Sequence, residues 1–251
     1  MRNIKNLLIV FALSLSILTV AYAVSVPSDI AKSRYKNAIE FLYEQGVVQG
    51  YEDGTFRPTY ELNRAELLKF VAGTKGKTLD AAKYKNCFPD VKEDWYAKYV
   101  CYAKSEGWVA GYPGGLFKPG SKVNKAEAVK IVVNAFEVKT SSSAGLPYSD
   151  VAKSAWYFDY LNAAYQNDLL EESAGKYYPS ANMNRGQISE IIYRILSPDP
   201  IPLDDIVAVD PDAGNNDAGN PDADGDAPGV DRSGDDAPPV VVPPAPVVDP
   251  P

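Results

Sequence analysis

The sequence predicts a mainly α-helical fold built from three copies of one helix-loop-helix unit. The motif at residues 63–66, Asn-Arg-Ala-Glu, returns at 124–127 as Asn-Lys-Ala-Glu and at 184–187 as Asn-Arg-Gly-Gln, at steps of 61 and 60 residues. An internal repeat of this kind determines the architecture before any local pattern is considered. Further positions in the same register are Asp29, Asp90 and Asp150; Gly54, Gly115 and Gly175; Phe56, Phe117 and Tyr177; Pro58, Pro119 and Pro179.

The first helix of each unit is predicted from a helical spacing of aromatic and apolar residues after the recurring Asp, which we interpret as an N-cap. In the middle unit this spacing connects Trp95, Tyr99 and Tyr102, and in the last unit it begins at Trp156. Gly46 and Gly107 are predicted to end the first two of these helices, as glycine does just past a helix terminus. A Gly-rich turn follows each time.

The second helix is predicted from the recurring motif itself. Asn63 with Glu66, Asn124 with Glu127 and Asn184 with Gln187 each match the capping-box pattern, and apolar positions line one side of the sequence that follows. One helix pair cannot bury its apolar face alone, so the three units are expected to pack together.

The two ends of the chain differ from this body. Arg2 and Lys5 precede an apolar run over residues 7–20, and Ala21-Tyr22-Ala23 follows it, which predicts a secretory signal peptide (1–23) with cleavage after Ala23. An uncleaved membrane anchor is the alternative, although a run of 14 residues is short for a bilayer span of roughly 20. No transmembrane segment is expected after cleavage.

Residues 198–251 hold 13 Asp and one Arg among many Pro, Ala and Gly, which predicts a disordered Asp/Pro-rich tail acting as a spacer or a solvated brush. The net charge of −8 therefore belongs to the tail, and the body is close to neutral and slightly basic. The predicted units are unit 1 at 24–75, unit 2 at 85–139 and unit 3 at 145–197.

Cys87 and Cys101 are the only cysteines, and in a secreted chain an even pair predicts a disulfide. Free buried thiols are the alternative. A structural zinc site has too few of its usual ligands, since the chain contains no His. We expect no metal and no cofactor.

The capping boxes account for the Asn and the Glu or Gln of the motif but not for Arg64, Lys125 and Arg185. These are cations at the first position of a helix, where the macrodipole disfavours them. Backbone N–H groups at a helix N-terminus beside a guanidinium or ammonium group suit an anion. The alternative is a solvated basic residue without a role. Likewise Tyr51, Tyr112, Trp95 and Trp156 suit a sugar, or else they pack the core with the tryptophans partly buried.

The segment 47–58 followed by 63–66 resembles an S-layer homology (SLH) repeat, and Phe88-Pro89-Asp90-Val91 with Trp95-Tyr96 resembles the start of the next one. The resemblance covers about residues 27–196. It implies three SLH repeats packed as a pseudo-threefold bundle, with grooves between neighbouring repeats that hold an anionic, often pyruvylated, secondary cell-wall polysaccharide. Residues implied at the glycan are Arg64, Lys125, Arg185, Gly50, Tyr51, Gly111, Tyr112, Asp90, Trp95, Asp150 and Trp156.

Some positions depart from the family pattern. Arg34-Tyr35 replaces the usual Trp, Lys125 replaces Arg, Gln187 replaces Glu, and the acidic stretch 168–172 replaces a Gly-Tyr segment. Since acids near Arg185 would repel an anionic sugar, we expect fewer than three working sites, with those of Arg64 and Lys125 better placed.

The predicted function is non-enzymatic: a secreted module that ties itself to the cell envelope, at the cell surface or S-layer, through a cell-wall polysaccharide or a peptidoglycan-linked polymer. A structural surface-layer protein that uses the repeats for self-assembly or for binding other surface proteins is the alternative. An envelope enzyme or its accessory is disfavoured because a Ser-His or Cys-His nucleophile is impossible without His. No nucleic-acid partner is expected.

Overall fold

The computed structural model describes residues 26–76, 78–139, 145–170, 175–197 and 199–200. The predicted signal peptide and nearly all of the predicted tail lie outside these residues. Within them the chain forms six α-helices, no strand and a short 3-10 helix, Ser28–Ile30, as the mainly α prediction requires. The helices are α1 (Lys36–Glu44), α2 (Arg64–Gly73), α3 (Ala97–Ser105), α4 (Lys125–Phe136), α5 (Phe158–Gln166) and α6 (Arg185–Leu196).

The second helices, α2, α4 and α6, begin as the motif predicts. In each one the N-cap Asn side chain accepts a hydrogen bond from the backbone of the third helical residue, whose own side chain accepts one from the Asn backbone. For α2 these bonds join Asn63 and Glu66 at 2.9 and 2.8 Å. Three complete capping boxes therefore place the three basic residues at the first helical position.

The recurring Asp residues are not N-caps, and that prediction is wrong. Helices α1, α3 and α5 begin after Tyr35, Tyr96 and Tyr157, with no side-chain capping bond. The carboxylate of Asp90 instead accepts hydrogen bonds from two consecutive backbone N–H groups of its unit's loop, those of Phe117 and Lys118.

Asp29 and Asp150 make the same pair of bonds in units 1 and 3. The second residue of each bonded pair has a left-handed backbone, with φ of 59° at Arg57, 58° at Lys118 and 56° at Tyr178. Such a conformation costs non-glycine residues free energy. The Asp clamp offsets that cost and fixes the loop next to the following motif.

The first helices end where the glycines predict. Gly46 and Gly107 follow α1 and α3 with φ of 66° and 76°. In unit 3 Asp168 takes the corresponding place after α5 with φ of 54°. The predicted starts of the first helices in units 2 and 3 are wrong. Trp95 and Trp156 were predicted within these helices, but each lies two residues before its helix begins.

The helices pair mainly between units rather than within them. Helix α2 of unit 1 packs against α3 of unit 2, and α4 of unit 2 packs against α5 of unit 3. Helix α6 of unit 3 packs against α1 of unit 1 and so closes the circle. Each unit thus contributes one helix to each of two inter-unit pairs. The three units therefore share one core.

A closed ring of backbone hydrogen bonds lies at the centre of this arrangement. The N–H of Leu62 donates to the carbonyl of Met183, that of Met183 to Val123, and that of Val123 back to Leu62, at 2.9, 2.9 and 3.1 Å. All three side chains are buried. The ring marks the pseudo-threefold axis, where the residue preceding each motif Asn meets its two counterparts.

The disulfide prediction is confirmed: Cys87 and Cys101 are bonded, with their Cα atoms 5.4 Å apart. Cys101 lies on α3, and Cys87 precedes Phe88, whose ring stacks on that of Phe117 at 5.3 Å. The bond therefore fixes the entrance of unit 2 against its first helix and beneath its Gly-Tyr loop.

Candidate functional site

Each basic motif residue reaches into the loop of another unit. The Nε–H of Arg64 donates to the Phe117 carbonyl of unit 2 at 3.0 Å. The Nζ of Lys125 donates to the Tyr177 carbonyl of unit 3 at 3.5 Å. Three inter-unit grooves follow, which we name by the unit of the basic residue and the unit of the loop: groove 1–2 holds Arg64 and groove 2–3 holds Lys125.

Groove 3–1 holds Arg185, whose Nε–H donates to the Phe56 carbonyl of unit 1 at 2.7 Å and whose Nη2 donates to the Gln49 carbonyl at 3.2 Å. The guanidinium lies over the Tyr51 ring at 5.0 Å. Its burial lowers the pKa of Arg185. Arg185 thus leaves the loop of its own unit for that of unit 1. Glu171 and Glu172, two of the acids predicted near Arg185, lie outside the described residues.

The basic residues are not solvated, so that alternative is wrong for the two arginines. Arg64 is 6% exposed and Arg185 is 8% exposed, while Lys125 is half-buried. The Arg64 guanidinium lies between the rings of Tyr112 and Phe117, at 4.6 and 4.5 Å from their centroids. These cations hold neighbouring units together in addition to any part they have in binding.

The predicted use of helix N-terminal N–H groups is also wrong. The first two N–H groups of α2, those of Arg64 and Ala65, donate to the carbonyls of Ser121 and Pro119 in unit 2. The third is bound by the N-cap Asn63. Helices α4 and α6 begin in the same way on the loops of units 3 and 1. Because backbone carbonyls of the next unit take these donors, an anion in the grooves has to be held by side chains.

Groove 1–2 forms a concavity that contains a basic motif residue. It encloses about 220 Å³ and combines side chains of all three units. Unit 1 supplies Arg64, unit 2 supplies Gly111 and Tyr112, and unit 3 supplies Trp156. A wider concavity of about 360 Å³ in unit 3 is lined by Asp150, Tyr157 and residues 178–181, none of them basic. Four of the predicted glycan residues therefore meet in one cavity.

Two charged residues that the sequence did not predict at the glycan, Glu127 and Lys130, also line groove 1–2. Glu127, the capping-box acid, accepts a hydrogen bond from the Tyr112 hydroxyl at 3.1 Å. Burial raises the pKa of Tyr112, so this hydroxyl stays protonated and able to donate. Lys130, one turn along α4, lies over the Trp156 ring at 5.4 Å. In the sequence, a lysine on a helix is usually interpreted as a solvated residue. Only a comparison with the residues at the same position of α2 and α6 could have indicated that Lys130 belongs to the groove.

The tryptophans stand at the surface, 51% exposed at Trp95 and 57% at Trp156, which agrees with partial burial and excludes a core role. In groove 3–1 the ammonium of Lys69 lies 5.6 Å from the centroid of the Trp95 ring, which corresponds to the 5.4 Å between Lys130 and Trp156 in groove 1–2. Trp95 of unit 2 therefore lies at groove 3–1, beside Lys69. An exposed aromatic face beside a cation is suited to a sugar ring that carries a negative charge.

Gly50 and Gly111 serve the shape of the loops. A Cβ at Gly50 would lie 2.7 Å from the Thr55 carbonyl oxygen, and one at Gly111 would lie 3.0 Å from the Leu116 carbonyl oxygen. These glycines let Tyr51 and Tyr112 donate their N–H to those same carbonyls at 2.7 and 2.8 Å. Each loop is thereby folded tightly enough to present its tyrosine beside the guanidinium.

Asp90 and Asp150 were also predicted at the glycan. Both oxygens of each carboxylate accept backbone N–H groups of the loop, as described above. Although burial acts to raise it, these hydrogen bonds lower the pKa of Asp90 overall, so the group remains ionised. The geometry supports a loop-fixing role for both residues. Neither contributes a free donor for an anion.

The described residues hold no group of three or more Cys, Asp or Glu that could bind a metal ion. Among them, no helix is long and apolar enough to cross a membrane.

Comparison with known proteins follows the same three units. The family model of the S-layer homology domain matches residues 28–68, 88–129 and 147–188. Over 165 residues, 61% of the chain, the sequence is 32% identical to the cell surface glycoprotein 1 of Acetivibrio thermocellus. It is 30% identical to the cellulosome-anchoring protein of the same organism over 48% of the chain. It is 29% identical to an endoglucanase of a Bacillus species over 67% of the chain.

The chain spans only 7%, 28% and 18% of the lengths of these three relatives. With three consecutive matches in the register of the three structural units, the chain belongs to the S-layer homology family, of which it carries three tandem domains.

Proposed function

We propose that this protein anchors itself non-covalently to the cell envelope by binding an anionic, pyruvylated secondary cell-wall polysaccharide in its inter-unit grooves. The family and the similarity to a cell surface glycoprotein support a secreted, cell-surface location. One relative is named as a cellulosome-anchoring protein, which is consistent with an anchoring role for the repeats.

The observation that carries the proposal is the composition of groove 1–2. A guanidinium, an ammonium, a tyrosine ring and an exposed tryptophan line one cavity of about 220 Å³. The aromatic faces suit the apolar side of a sugar ring, and the cations suit a carboxylate attached to it. Groove 3–1 brings together the same set, with Arg185, Lys69, Tyr51 and Trp95.

The proposed role is non-enzymatic. The chain matches only 18% of the length of the endoglucanase in the comparison, so the name of that relative does not carry an activity over to this chain. The sequence contains no His, the side chain that most often serves as a general base near neutral pH. The cations and aromatic rings of the grooves suit binding of a ligand.

A pelleting experiment tests the proposal. The secreted chain is mixed with cell-wall sacculi, either intact or stripped of the secondary polymer, and the pelleted fraction is measured. We expect pelleting with intact sacculi only. Equal pelleting in both cases would contradict glycan binding and favour a peptidoglycan or protein partner. Self-association of the chain in the absence of sacculi would favour the structural surface-layer alternative.

A matched pair of variants connects the result to groove 1–2. Trp156→Ala removes an exposed ring of the groove and is expected to reduce pelleting several-fold without unfolding the protein. Tyr60→Ala removes a ring that is 55% exposed and does not line this groove, so it serves as the control. Equal pelleting by the two variants would remove Trp156 from the site.

A further inference from the structure

Groove 1–2 contains a second cation that the family motif does not include. Lys130 and Arg64 line the same cavity although they come from units 2 and 1. Lys130 is half-buried and lies over two rings of unit 3, those of Trp156 and Tyr160, at 5.4 and 5.6 Å. These rings hold the ammonium at the wall of the groove rather than free in solvent.

Groove 3–1 repeats the arrangement with independent residues. Lys69 occupies on α2 the position that Lys130 occupies on α4, and its ammonium lies 5.6 Å from Trp95. Burial lowers the pKa of Lys69, and the charge of Arg185 lowers it further, so the two cations are close enough to interact. The capping-box acids, Glu66 here and Glu127 in groove 1–2, offset part of the repulsion between the two cations, and a ligand carboxylate between the cations would offset more of it.

Groove 2–3 lacks the corresponding lysine. The corresponding position on α6 is Glu190, which is 2% exposed and forms an ion pair with Arg194 at 2.8 Å. Arg34 occupies the position of the exposed tryptophans, two residues before α1. A buried glutamate in an ion pair cannot offer an ammonium group to a ligand.

We propose that Lys130 and Lys69 determine the specificity of the grooves: grooves 1–2 and 3–1 bind a sugar-borne carboxylate between a guanidinium and an ammonium, and Glu190 makes groove 2–3 unable to do so. This inference rests on the proposed function and adds which residues select the charged sugar and how many sites are active. It also replaces the order expected from the sequence, because the Arg185 groove becomes an active one and the Lys125 groove does not.

The chemistry of Arg64 and Arg185 supports two contacts to one carboxylate. The Nε–H of each is occupied by a loop carbonyl, which fixes the plane of the guanidinium. An arginine has five N–H donors, so its terminal nitrogens retain others. A carboxylate accepts through two oxygens, and a lysine on the opposite wall can bind the oxygen that the guanidinium leaves.

Calorimetric titration of the full secreted chain tests this inference. The first probe is the methyl glycoside of a 4,6-pyruvylated hexosamine, and the second is the corresponding 4,6-ethylidene glycoside, which lacks only the carboxylate. The variants are Lys130→Gln, Lys69→Gln and both together. The control is Lys32→Gln, which makes the same charge change at an exposed residue before α1.

We expect two sites for the pyruvylated probe on the unmodified chain and one on each single lysine variant. The double variant should bind at least about tenfold more weakly at both sites, the loss of a charge-assisted hydrogen bond. Lys32→Gln should bind like the unmodified chain. For the ethylidene probe, the lysine variants should differ little from the unmodified chain, since no carboxylate is present.

The outcomes separate this inference from the function on which it rests. Undiminished binding of the pyruvylated probe by the double variant would overturn the role of the lysines and leave glycan binding intact. Three equal sites on the unmodified chain would overturn the exclusion of groove 2–3. If the unmodified chain bound neither probe nor intact sacculi, the proposed function would fail and this inference with it.

Discussion

Groove 1–2 and groove 2–3 are built by the same rules and differ in what they present. Both are formed by a helix that begins on the loop of the next unit, and both contain a basic residue at the first helical position. In groove 1–2 that residue is a buried arginine bonded at 3.0 Å, whereas in groove 2–3 it is a half-buried lysine bonded at 3.5 Å. The lysine keeps the charge and loses the planar fork of the guanidinium.

The difference shows that the backbone frame of the three units is constant while the side chains of the grooves vary. Backbone bonds to loop carbonyls, capping boxes and the Asp clamps are present in all three units. The side chains of the groove walls change instead, from Lys130 and Trp156 in one groove to Glu190 and Arg34 in another. The frame is therefore kept in all three units while the side chains of the grooves differ.

The disulfide, which lies in unit 2, gives the largest expected effect on stability. Replacing Cys87 and Cys101 by serine should lower the free energy of unfolding by about 3 kcal/mol, the chain-entropy value for a loop of about 15 residues. Chemical denaturation of the oxidised chain and of the double variant measures it.

A reductant serves as the control for that experiment, because it should shift the unfolding midpoint of the unmodified chain and leave the double variant unaffected. An intact mass equal to that of the fully reduced chain would contradict the bond itself.

The buried arginine gives the next largest effect. Arg64→Ala should destabilise the protein by about 2 kcal/mol, since it leaves the Phe117 carbonyl without its donor and opens a gap between two rings. Lys125→Ala should cost about 1 kcal/mol, because its bond is longer and the residue is less buried.

Urea unfolding of both variants measures the difference between the two grooves. Equal losses would contradict the distinction drawn here. The expected loss for Arg64 also means that its effect on binding has to be measured on protein shown to be folded.

Gly186 gives the smallest effect and concerns the contact between α6 and unit 1. A Cβ at this position would lie within 3 Å of the Tyr35 ring, so Gly186→Ala should destabilise by about 1 kcal/mol although alanine favours helix. In a Tyr35→Ala background the same change should instead stabilise by a similar amount, because only the helix propensity remains.

Thermal unfolding of the four chains in this double-mutant cycle provides the measurement. A stabilising Gly186→Ala in the presence of Tyr35 would show that the ring moves aside freely. The matched change in unit 2, Ala126→Gly, should cost at least about 1 kcal/mol, through lost helix propensity and the loss of a buried methyl group.

The local anatomy of each unit could be predicted from sequence, because capping boxes and helix-ending glycines depend on neighbours a few residues apart. The assignment of Arg185 to unit 1 could not be predicted, since a repeat register describes each copy and not which copy it packs against. The Asp residues misled for a related reason: an Asp before a helical pattern looks the same whether it caps that helix or clamps a loop 27 residues later.

The groove lysines illustrate a different limit. Lys69 and Lys130 lie on helices, where a lysine is usually solvated, and nothing in either unit alone marks them. The informative pattern was the contrast of Lys, Lys and Glu at one position of the three units. Gly186 has a similar explanation, since the altered third motif makes sense only beside the buried Tyr35 of unit 1.

The central ring of Leu62, Val123 and Met183 has a consequence for how the protein reaches its folded state outside the cell. Leu62 can donate its backbone bond only after Met183 has emerged, and α1 can pack only after α6 is present. Folding is therefore tied to the last unit, in contrast to a linear repeat array that can grow from either end. Removing unit 3 would therefore break the central ring and the α1–α6 pair together, so a chain shortened before Met183 is expected to lose the closed arrangement and not just one groove.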